Sequence, residues 1–267
     1  MTKLVHLSDL HFVPPGERLY GLDPLERLQS CISSINNHHP DADLCILTGD
    51  LADAGSREAY QLLKTALSDL CIPYMLLLGN HDDRRNFTGV FGPAVAAAGF
   101  VQAAMDLGDI KVLSLDTLEP SLGGGGTLCQ QRLSWLDEML ATYRNDQIVI
   151  AMHHPPFDPG IAHFDTIQFH GSNALADVLQ KYEGIRHVMF GHVHVAMTRI
   201  WRGISCSSTK GPCHQIRLEP ANPCASFIAA PPSYALIVID DSSVTVHQVD
   251  AADDDSVIFT AEPDPPL

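Results

Sequence analysis

Basic residues and long apolar runs are both scarce in this chain. Lysine and arginine together number 16 among 267 residues, against 32 aspartates and glutamates, which gives a formal net charge of −16. A general nucleic-acid binder needs a basic surface to displace counterions, so we expect no nucleic-acid polymer as a partner. An anionic membrane surface is disfavoured for the same reason. No apolar run approaches the ~20 residues that a membrane-spanning helix requires.

Paired cysteines are also missing. The seven cysteines are scattered, odd in number and contain no Cys-x-x-Cys pair, which is typical of reduced thiols. The residues from Met1 to Asp9 pass quickly into a strand-like run with polar members, whereas a signal peptide has a longer apolar region. We therefore expect a cytoplasmic protein.

Short apolar runs alternate with helical patterns along most of the chain. A composition that is 45% hydrophobic and 18% charged is typical of a globular protein. The alternation predicts an α/β fold with buried sheets. The predicted strands are residues 3–7, 44–47, 74–78, 111–115, 147–151 and 187–190, and the predicted helices are one that starts at Pro24 behind the cap Asp23, and residues 57–67, 130–143 and 173–182.

The pattern changes after about residue 200. Strands at 204–208, 234–240 and 244–249 follow one another without helices, which predicts a C-terminal antiparallel extension. We assign residues 1–250 to one catalytic domain and residues 251–267 to an acidic, proline-rich tail. The proline-rich segment 209–232 is predicted to be a cap or an oligomerisation loop, so a homodimer or larger homo-oligomer is possible. The four glycines from Gly123 to Gly126 indicate a flexible loop.

Polar clusters follow five of the predicted strands. Each cluster alone is typical of a turn. Because ligands bind beyond the carboxyl ends of strands in open α/β sheets, the five clusters can converge on one crevice. Buried together without partners they would be costly, and a metal centre would satisfy all of them. The clusters are Ser8-Asp9-Leu10-His11, Thr48-Gly49-Asp50, Gly79-Asn80-His81-Asp82, Met152-His153-His154-Pro155-Pro156 and Gly191-His192-Val193-His194.

In this order, the motifs Asp-x-His, Gly-Asp, Gly-Asn-His-Asp, His and Gly-His-x-His resemble those of the calcineurin-like metallophosphoesterases. Within that superfamily the chain looks like the class III cyclic-nucleotide phosphodiesterases and the related bacterial glycerophosphodiesterases. The resemblance implies a four-layer α/β/β/α sandwich with the site above two central sheets. The segments that carry the finer resemblance are Ser8–Phe12, Gly16–Gly21, Met152–Pro156 and His214-Gln215.

The resemblance further implies two divalent transition-metal ions, bridged by Asp50 and a hydroxide. Carboxylate, amide and imidazole ligands together suit Fe, Mn, Zn or Co better than Ca or Mg. Two such ions, two carboxylates and a hydroxide sum to a charge of +1, which complements the −1 of a phosphodiester. The implied ligands are Asp9, His11, Asp50 and His194 for one ion, and Asp50, Asn80, His153 and His192 for the other.

Further roles are expected beside the ligands. His81 and its neighbour Asn80 are predicted to be catalytic, with His81 donating a hydrogen bond to a phosphoryl oxygen or a proton to the leaving group, although His81 could simply end a strand. His214 and Tyr20 are candidate substrate contacts, with a plain loop residue and a buried tyrosine as the alternatives. His154 could be a ligand in place of its neighbour, and the resemblance favours His153.

These features predict an enzyme that hydrolyses small phosphodiesters, either cyclic nucleotides or glycerophosphodiesters, by in-line attack of a metal-bridging hydroxide. The first alternative is a phosphomonoesterase of the same fold, whose dianionic substrate would recruit extra basic residues. Only Arg84 and Arg85 lie near the motifs. The second alternative is a non-catalytic scaffold of this fold, but such a protein should have lost ligands that are intact here.

Overall fold

A computed structural model describes residues 1–92 and 99–251. Strands and helices alternate up to about residue 190, and strands predominate after that. The predicted tail lies outside the described residues except for Ala251. The helices are α1 (Pro24–His38), α2 (Arg57–Leu67), α3 (Arg84–Phe91), α4 (Gln130–Thr142) and α5 (Ser172–Leu179). The strands are β1 (Thr2–Leu7), β2 (Leu44–Thr48), β3 (Tyr74–Leu77), β4 (Ala103–Asp106), β5 (Ile110–Ser114), β6 (Gly126–Thr127), β7 (Gln147–Ala151), β8 (Phe169–His170), β9 (Ile185–Phe190), β10 (Met197–Trp201), β11 (Ile204–Ser208), β12 (Gln215–Ile216), β13 (Phe227–Ile228), β14 (Ser233–Ile239) and β15 (Val244–Asp250).

The first of two large sheets has the strand order β15-β14-β1-β2-β3. Strands β1, β2 and β3 are parallel, and β14 joins β1 antiparallel. Asp23 caps α1 by accepting a hydrogen bond from the Leu25 N–H at 2.9 Å, and Ser56 caps α2 in the same way through Ala59, so both helices start where the sequence predicts. They pack on the outer face of this sheet.

The second sheet has the order β10-β11-β9-β7-β5-β4, with parallel strands in its centre and an antiparallel strand at each edge. Strand β11 of the C-terminal extension pairs antiparallel with β10 and parallel with β9, because β10, which the sequence pattern did not predict, reverses the chain once and the turn at Arg202 and Gly203 reverses it again. Strands β14 and β15 are antiparallel, as predicted.

Three apolar cores separate four layers. The middle core lies between the two sheets, with Leu4 and Ile46 facing Val112 and Val149. The outer cores join the first sheet to α1 and α2, and the second sheet to α4 and α5. The predicted α/β/β/α sandwich is therefore confirmed. Within the described ranges, no helix combines the length and apolar character needed to cross a bilayer.

The segment 209–232 folds back on its own chain. Arg27 of α1 donates from Nε to the Pro212 carbonyl at 2.6 Å, and Lys210 pairs with Asp250 at 2.8 Å. The segment forms the small β12-β13 hairpin. These contacts hold it above the carboxyl ends of the central strands.

Candidate metal centre

The five polar clusters meet at one edge of the two sheets. They follow β1, β2 and β3 in the first sheet and β7 and β9 in the second, and all five strands end at this edge. Because the sheets pack face to face, loops that are distant in sequence come together above the seam. Six of the seven predicted ligands are at most 5% exposed, and the seventh, Asn80, is half-buried. The six are Asp9, His11, Asp50, His153, His192 and His194.

The backbone is strained at these positions. Among the described residues, seven that are not glycine have left-handed φ values between 47° and 71°. Five of the seven are predicted ligands, and such strain persists where the surrounding structure over-determines it, as at functional sites. The five are Asp9, His11, Asp50, His192 and His194.

Each of the four predicted histidine ligands uses one ring nitrogen to donate a hydrogen bond to a protein oxygen. The other nitrogen then carries a lone pair, which is the arrangement that fixes imidazole ligands around metals. The bonds are His11 Nδ1 to Asp53 Oδ1 at 2.9 Å, His153 Nδ1 to the Thr48 carbonyl at 2.8 Å, His192 Nε2 to the Ile167 carbonyl at 3.0 Å and His194 Nδ1 to the His214 carbonyl at 3.2 Å.

One cluster is formed by four predicted ligands whose donor atoms all lie within 4.8 Å of one another, namely Asp9, His11, Asp50 and His194. The Nε2 atoms of His11 and His194 face each other at 3.3 Å. Two lone pairs at this distance repel unless a proton or a metal cation lies between them. The buried Oδ2 atom of Asp9 has no hydrogen-bond partner, and an orphaned carboxylate oxygen is costly unless it binds a cation. This donor set therefore fits a metal ion.

A second cluster adjoins the first through Asp50. The Oδ2 atom of Asp50 lies 3.6 Å from His11 Nε2 and 3.4 Å from His153 Nε2. His153 Nε2 is also 3.0 Å from Asn80 Oδ1, and the ring of His192 lies 5.1 Å from that of His153. One carboxylate thus lies between two groups of donors, as in a two-metal site.

The electrostatics of the cluster favour an ionised Asp50. Burial alone would raise its pKa, but the adjacent His153 brings that pKa well below the usual range. Burial likewise opposes protonation of His153, and the negative charge of Asp50 outweighs it and raises the pKa of His153 to about 9. A cation bound here would take over the role that the imidazolium plays beside Asp50.

His154 lies close to the second cluster but has both ring nitrogens occupied. The Thr117 hydroxyl donates to its Nδ1 at 2.8 Å, and its Nε2 donates to the Gly124 carbonyl at 3.1 Å. The ring also explains the last of the four glycines, because a Cβ on Gly126 would lie 2.3 Å from Nδ1. Gly126 starts β6, so this end of the predicted glycine loop is a strand that packs closely against His154.

His81 lies at the rim of this centre with its side chain 41% exposed. Its backbone N–H donates to Asp50 Oδ1 at 2.9 Å, and its ring Nδ1 donates to the Asp53 carbonyl at 2.7 Å. The Nε2 atom of His81 is therefore available to contact a bound substrate. Sequence reasoning missed Asp53, which contacts both His11 and His81. Its position three residues after Asp50, within the same loop, was the available signal.

Sequence reasoning also assigned no role to Asp82. This buried carboxylate accepts N–H hydrogen bonds from Leu51, Ala52 and Gly79 at 2.8 to 3.1 Å, and a hydroxyl hydrogen bond from Tyr60 at 2.9 Å. It therefore joins the loop that carries Asp50 to the loop that carries Asn80. Burial, with the nearby charge of Asp50, raises its pKa to about 6.

A cleft opens above the two clusters. Tyr20 and His214, both predicted to contact substrate, line it together with Phe227, which sequence reasoning missed. Among the described residues, no lysine or arginine lines this cleft. Arg84 is occupied elsewhere, with Nε 2.6 Å and a terminal nitrogen 2.9 Å from the two oxygens of buried Asp116. The other lining residues are His163, Phe164, Ile167 and Ile216, beside members of the two clusters, Asp53 and His81.

Comparison with known proteins agrees with this geometry. A family model described as calcineurin-like phosphoesterase matches residues 2–196. A probable cyclic nucleotide phosphodiesterase of Rhodopseudomonas palustris is 37% identical over 92% of this chain and 91% of its own length. A probable glycerophosphodiester phosphodiesterase of Arcobacter nitrofigilis is 32% identical over 91% of each chain. The crystal structure of a dimetal phosphatase from Danio rerio superposes with a TM-score of 0.70 at 14% identity, covering 94% of this chain and 96% of that one.

Proposed function

The chain belongs to the calcineurin-like phosphoesterase family, and we propose that it is a metal-dependent phosphodiesterase acting on cyclic nucleotides or glycerophosphodiesters. The observation that carries this proposal is the position of Asp50, whose one carboxylate lies between two groups of inward-facing donors. The names of the relatives that align over most of the chain support the substrate class.

Calcineurin-like phosphoesterases use a dinuclear metal site, and the donor set fits one. We propose that Asp9, His11, Asp50 and His194 would hold one ion, and that Asp50, Asn80, His153 and His192 would hold the other. The mixture of imidazole, carboxylate and amide donors favours Fe, Mn, Zn or Co. When bound, the ions would polarise the phosphoryl group and lower the pKa of a water ligand toward neutrality.

The chain's own residues then bind and orient the substrate. The carbonyl of Asp53 holds the ring of His81, so that Nε2 can donate to a phosphoryl oxygen or protonate the leaving oxygen when the ring carries its second proton. Asn80 lines the cleft beside His81, and Tyr20 and His214 line the path of the ester group.

Charge favours a diester over a monoester. The cleft lacks lysine and arginine among its described lining residues, and Arg84 is held by Asp116. A monoester dianion would therefore meet little positive charge besides the metal ions, whereas a diester carries a single negative charge. Phosphomonoester hydrolysis is the weaker candidate for this reason.

We further propose that segment 209–232 is a cap within the catalytic domain. The support is that His214, Ile216 and Phe227, all from this segment, line the cleft. The seven cysteines are free thiols, which supports a reducing compartment such as the cytoplasm.

The test is a comparison of rates on Mn²⁺-loaded protein. The substrates are bis(p-nitrophenyl) phosphate, p-nitrophenyl phosphate, 3′,5′-cyclic AMP, 2′,3′-cyclic AMP and a glycerophosphodiester. We expect the diesters to be hydrolysed faster than the monoester, and a faster monoester would contradict the proposal. Asp50→Asn, which keeps the shape and removes the charge, is the matched control and should abolish metal binding and turnover together.

A further inference from the structure

Two aromatic rings from opposite ends of the chain meet at the mouth of the cleft. The rings of Tyr20 and Phe227 are stacked, with centroids 5.0 Å apart and planes 12° apart. Both are unusually exposed for large apolar side chains, at 63% and 45%. Exposed apolar groups that adjoin one another at the rim of a polar site typically mark a binding surface.

Tight hairpins hold both rings in place. Tyr20 and Gly21 are the central residues of a two-residue turn with φ values of 52° and 83°, closed by two 2.9 Å hydrogen bonds between Leu19 and Leu22. Positive φ at both central residues defines the rigid type I′ turn. A tyrosine in this strained position costs stability and still leaves most of its side chain exposed, which is typical of a residue that serves binding. Phe227 is held in β13 by pairing with Ile216.

The stacked pair lies next to the metal centre. Each ring lies nearly perpendicular to the ring of His214, at centroid distances of 5.2 Å for Tyr20 and 5.0 Å for Phe227. The ring of His214 in turn lies 4.8 Å from the ring of His11 and 4.6 Å from that of His194. A phosphodiester bound over the metal ligands would thus extend its ester group along an aromatic wall.

From this geometry, and resting on the proposed function, we infer that Tyr20 and Phe227 form a stacking platform that selects phosphodiesters carrying a flat aromatic base. Glycerol, choline or ethanolamine groups have no π face and gain little from such a wall. A purine or pyrimidine offers a face of matching shape to either ring, and base stacking on aromatic side chains is sequence-tolerant and substantial. The platform therefore favours nucleotide over glycerol substrates at the same site.

The selectivity of the loaded enzyme tests this inference. The ratio of kcat/KM for 3′,5′-cyclic AMP to that for the same cyclic ribose phosphate without its base is measured in Tyr20→Leu and Phe227→Leu. We expect each substitution to lower the ratio about 5- to 100-fold, mainly through KM. Tyr20→Phe keeps an aromatic ring at this position and should leave the ratio at its wild-type value. Ile200→Ala, at another exposed apolar residue outside the cleft, is the matched control and should leave it unchanged.

An unchanged ratio in both leucine variants would overturn the platform, and so would a wild-type enzyme that prefers the base-free diester. In either case the proposed function stands, because a diester is still hydrolysed. If the leucine variants differed from the wild type in molar mass by light scattering but not in the kcat/KM ratio, the two rings would instead form a contact between copies of the chain. This result would also overturn the platform.

Binding to metal-free protein provides a readout that does not depend on turnover. In saturation-transfer NMR with 3′,5′-cyclic AMP, the base protons H2 and H8 should receive more saturation than the ribose protons, and this excess should disappear in Phe227→Leu. Equal saturation of base and ribose protons in the wild type would contradict the inference. If wild-type protein hydrolysed neither diester, the proposed function would fail, while this measurement would still decide on the platform.

Discussion

Single hydrogen bonds decide which nitrogen of each histidine is free at the metal centre. Asp53 accepts the Nδ1 proton of His11 at 2.9 Å and thereby turns Nε2 toward Asp50. Residues that orient a ligand in this way usually matter nearly as much as the ligand itself.

Asp53→Ala should therefore lower metal affinity about 10- to 100-fold without unfolding the protein, because His11 loses the acceptor that orients it. Isothermal titration of metal-free protein with Mn²⁺ measures this. Asp41→Ala is the control, since Asp41 is exposed and forms its ion pair with Lys3 at the surface. Equal affinity in the Asp53 variant and the control would contradict the assigned role of Asp53.

His81 should behave differently from the ligands. His81→Ala should keep its metal content but lose about 10²- to 10⁴-fold in kcat, the usual range for a positioned acid or base. Metal analysis and steady-state rates on the same samples separate the two effects. His247→Ala, at an exposed histidine of β15, should change neither quantity. Near-normal turnover in the His81 variant would mean that its role is wrong.

At the scale of elements, Gly126 at the end of the glycine run shows that packing against a distant side chain can fix the residue type in a loop. Gly126 starts β6, which pairs with β8 beside His154. Here the absence of a side chain allows two segments to approach closely.

Gly126→Ala should destabilise the protein by about 1–3 kcal/mol, because the new methyl group would overlap the buried ring of His154. Urea unfolding measures the change. Gly89→Ala is the matched control: it lies in α3, where the added Cβ meets only the flexible end of Arg57, so it should be neutral or slightly stabilising. Similar losses in both variants would argue against a specific clash.

The elements that sequence reasoning identified are those with strong local signals. The central strands are short and mostly apolar runs, and α1 and α2 carry caps and an apolar face. Helix α3 was missed because its eight residues include a glycine and bury only Phe87. Strand β10 was missed because it is an exposed edge strand, whose side chains are mostly exposed or half-buried.

The residues of the site also differ in how strong their local sequence signal is. The predicted ligands could be identified because each follows an apolar strand, and the parallel strands end at the same edge. Asp82 and Phe227 depend on contacts between loops far apart in the chain, which no local pattern encodes. Phe227 in particular lies in a two-residue strand within a proline-rich segment.

At the scale of the whole molecule, the seam between the sheets contains polar groups as well as apolar ones. His6 of β1 bonds to Thr48 at 2.8 Å, and His187 of β9 bonds to Ser205 and Ser207 at 3.1 and 2.8 Å. Burial lowers the pKa of His6 to about 3 and that of His187 to about 4. Both rings are therefore neutral in the folded protein at pH 6, where the unfolded chain takes up protons.

Stability should accordingly fall as the pH is lowered from about 6.5 toward 4, because the unfolded state binds more protons in this range. His187→Gln should flatten this dependence by up to about 1.4 kcal/mol per pH unit, the equivalent of one proton. Chemical unfolding at several pH values measures the slope. His247→Gln, at an exposed position, should retain the wild-type slope, and an equal slope in the His187 variant would contradict the prediction.

The position of β1 also has a consequence for how the molecule assembles. This strand, which precedes the other described strands in the chain, lies between β2 and β14 and pairs with residues as late as Ile239. Pairings of such long sequence separation form slowly, whereas synthesis proceeds from the N-terminus. The strand that precedes Asp9 and His11 therefore completes its pairing only after β14 has been synthesised. We expect a nascent chain that ends before β14 to bind no metal tightly, so that metal loading follows the synthesis of β14.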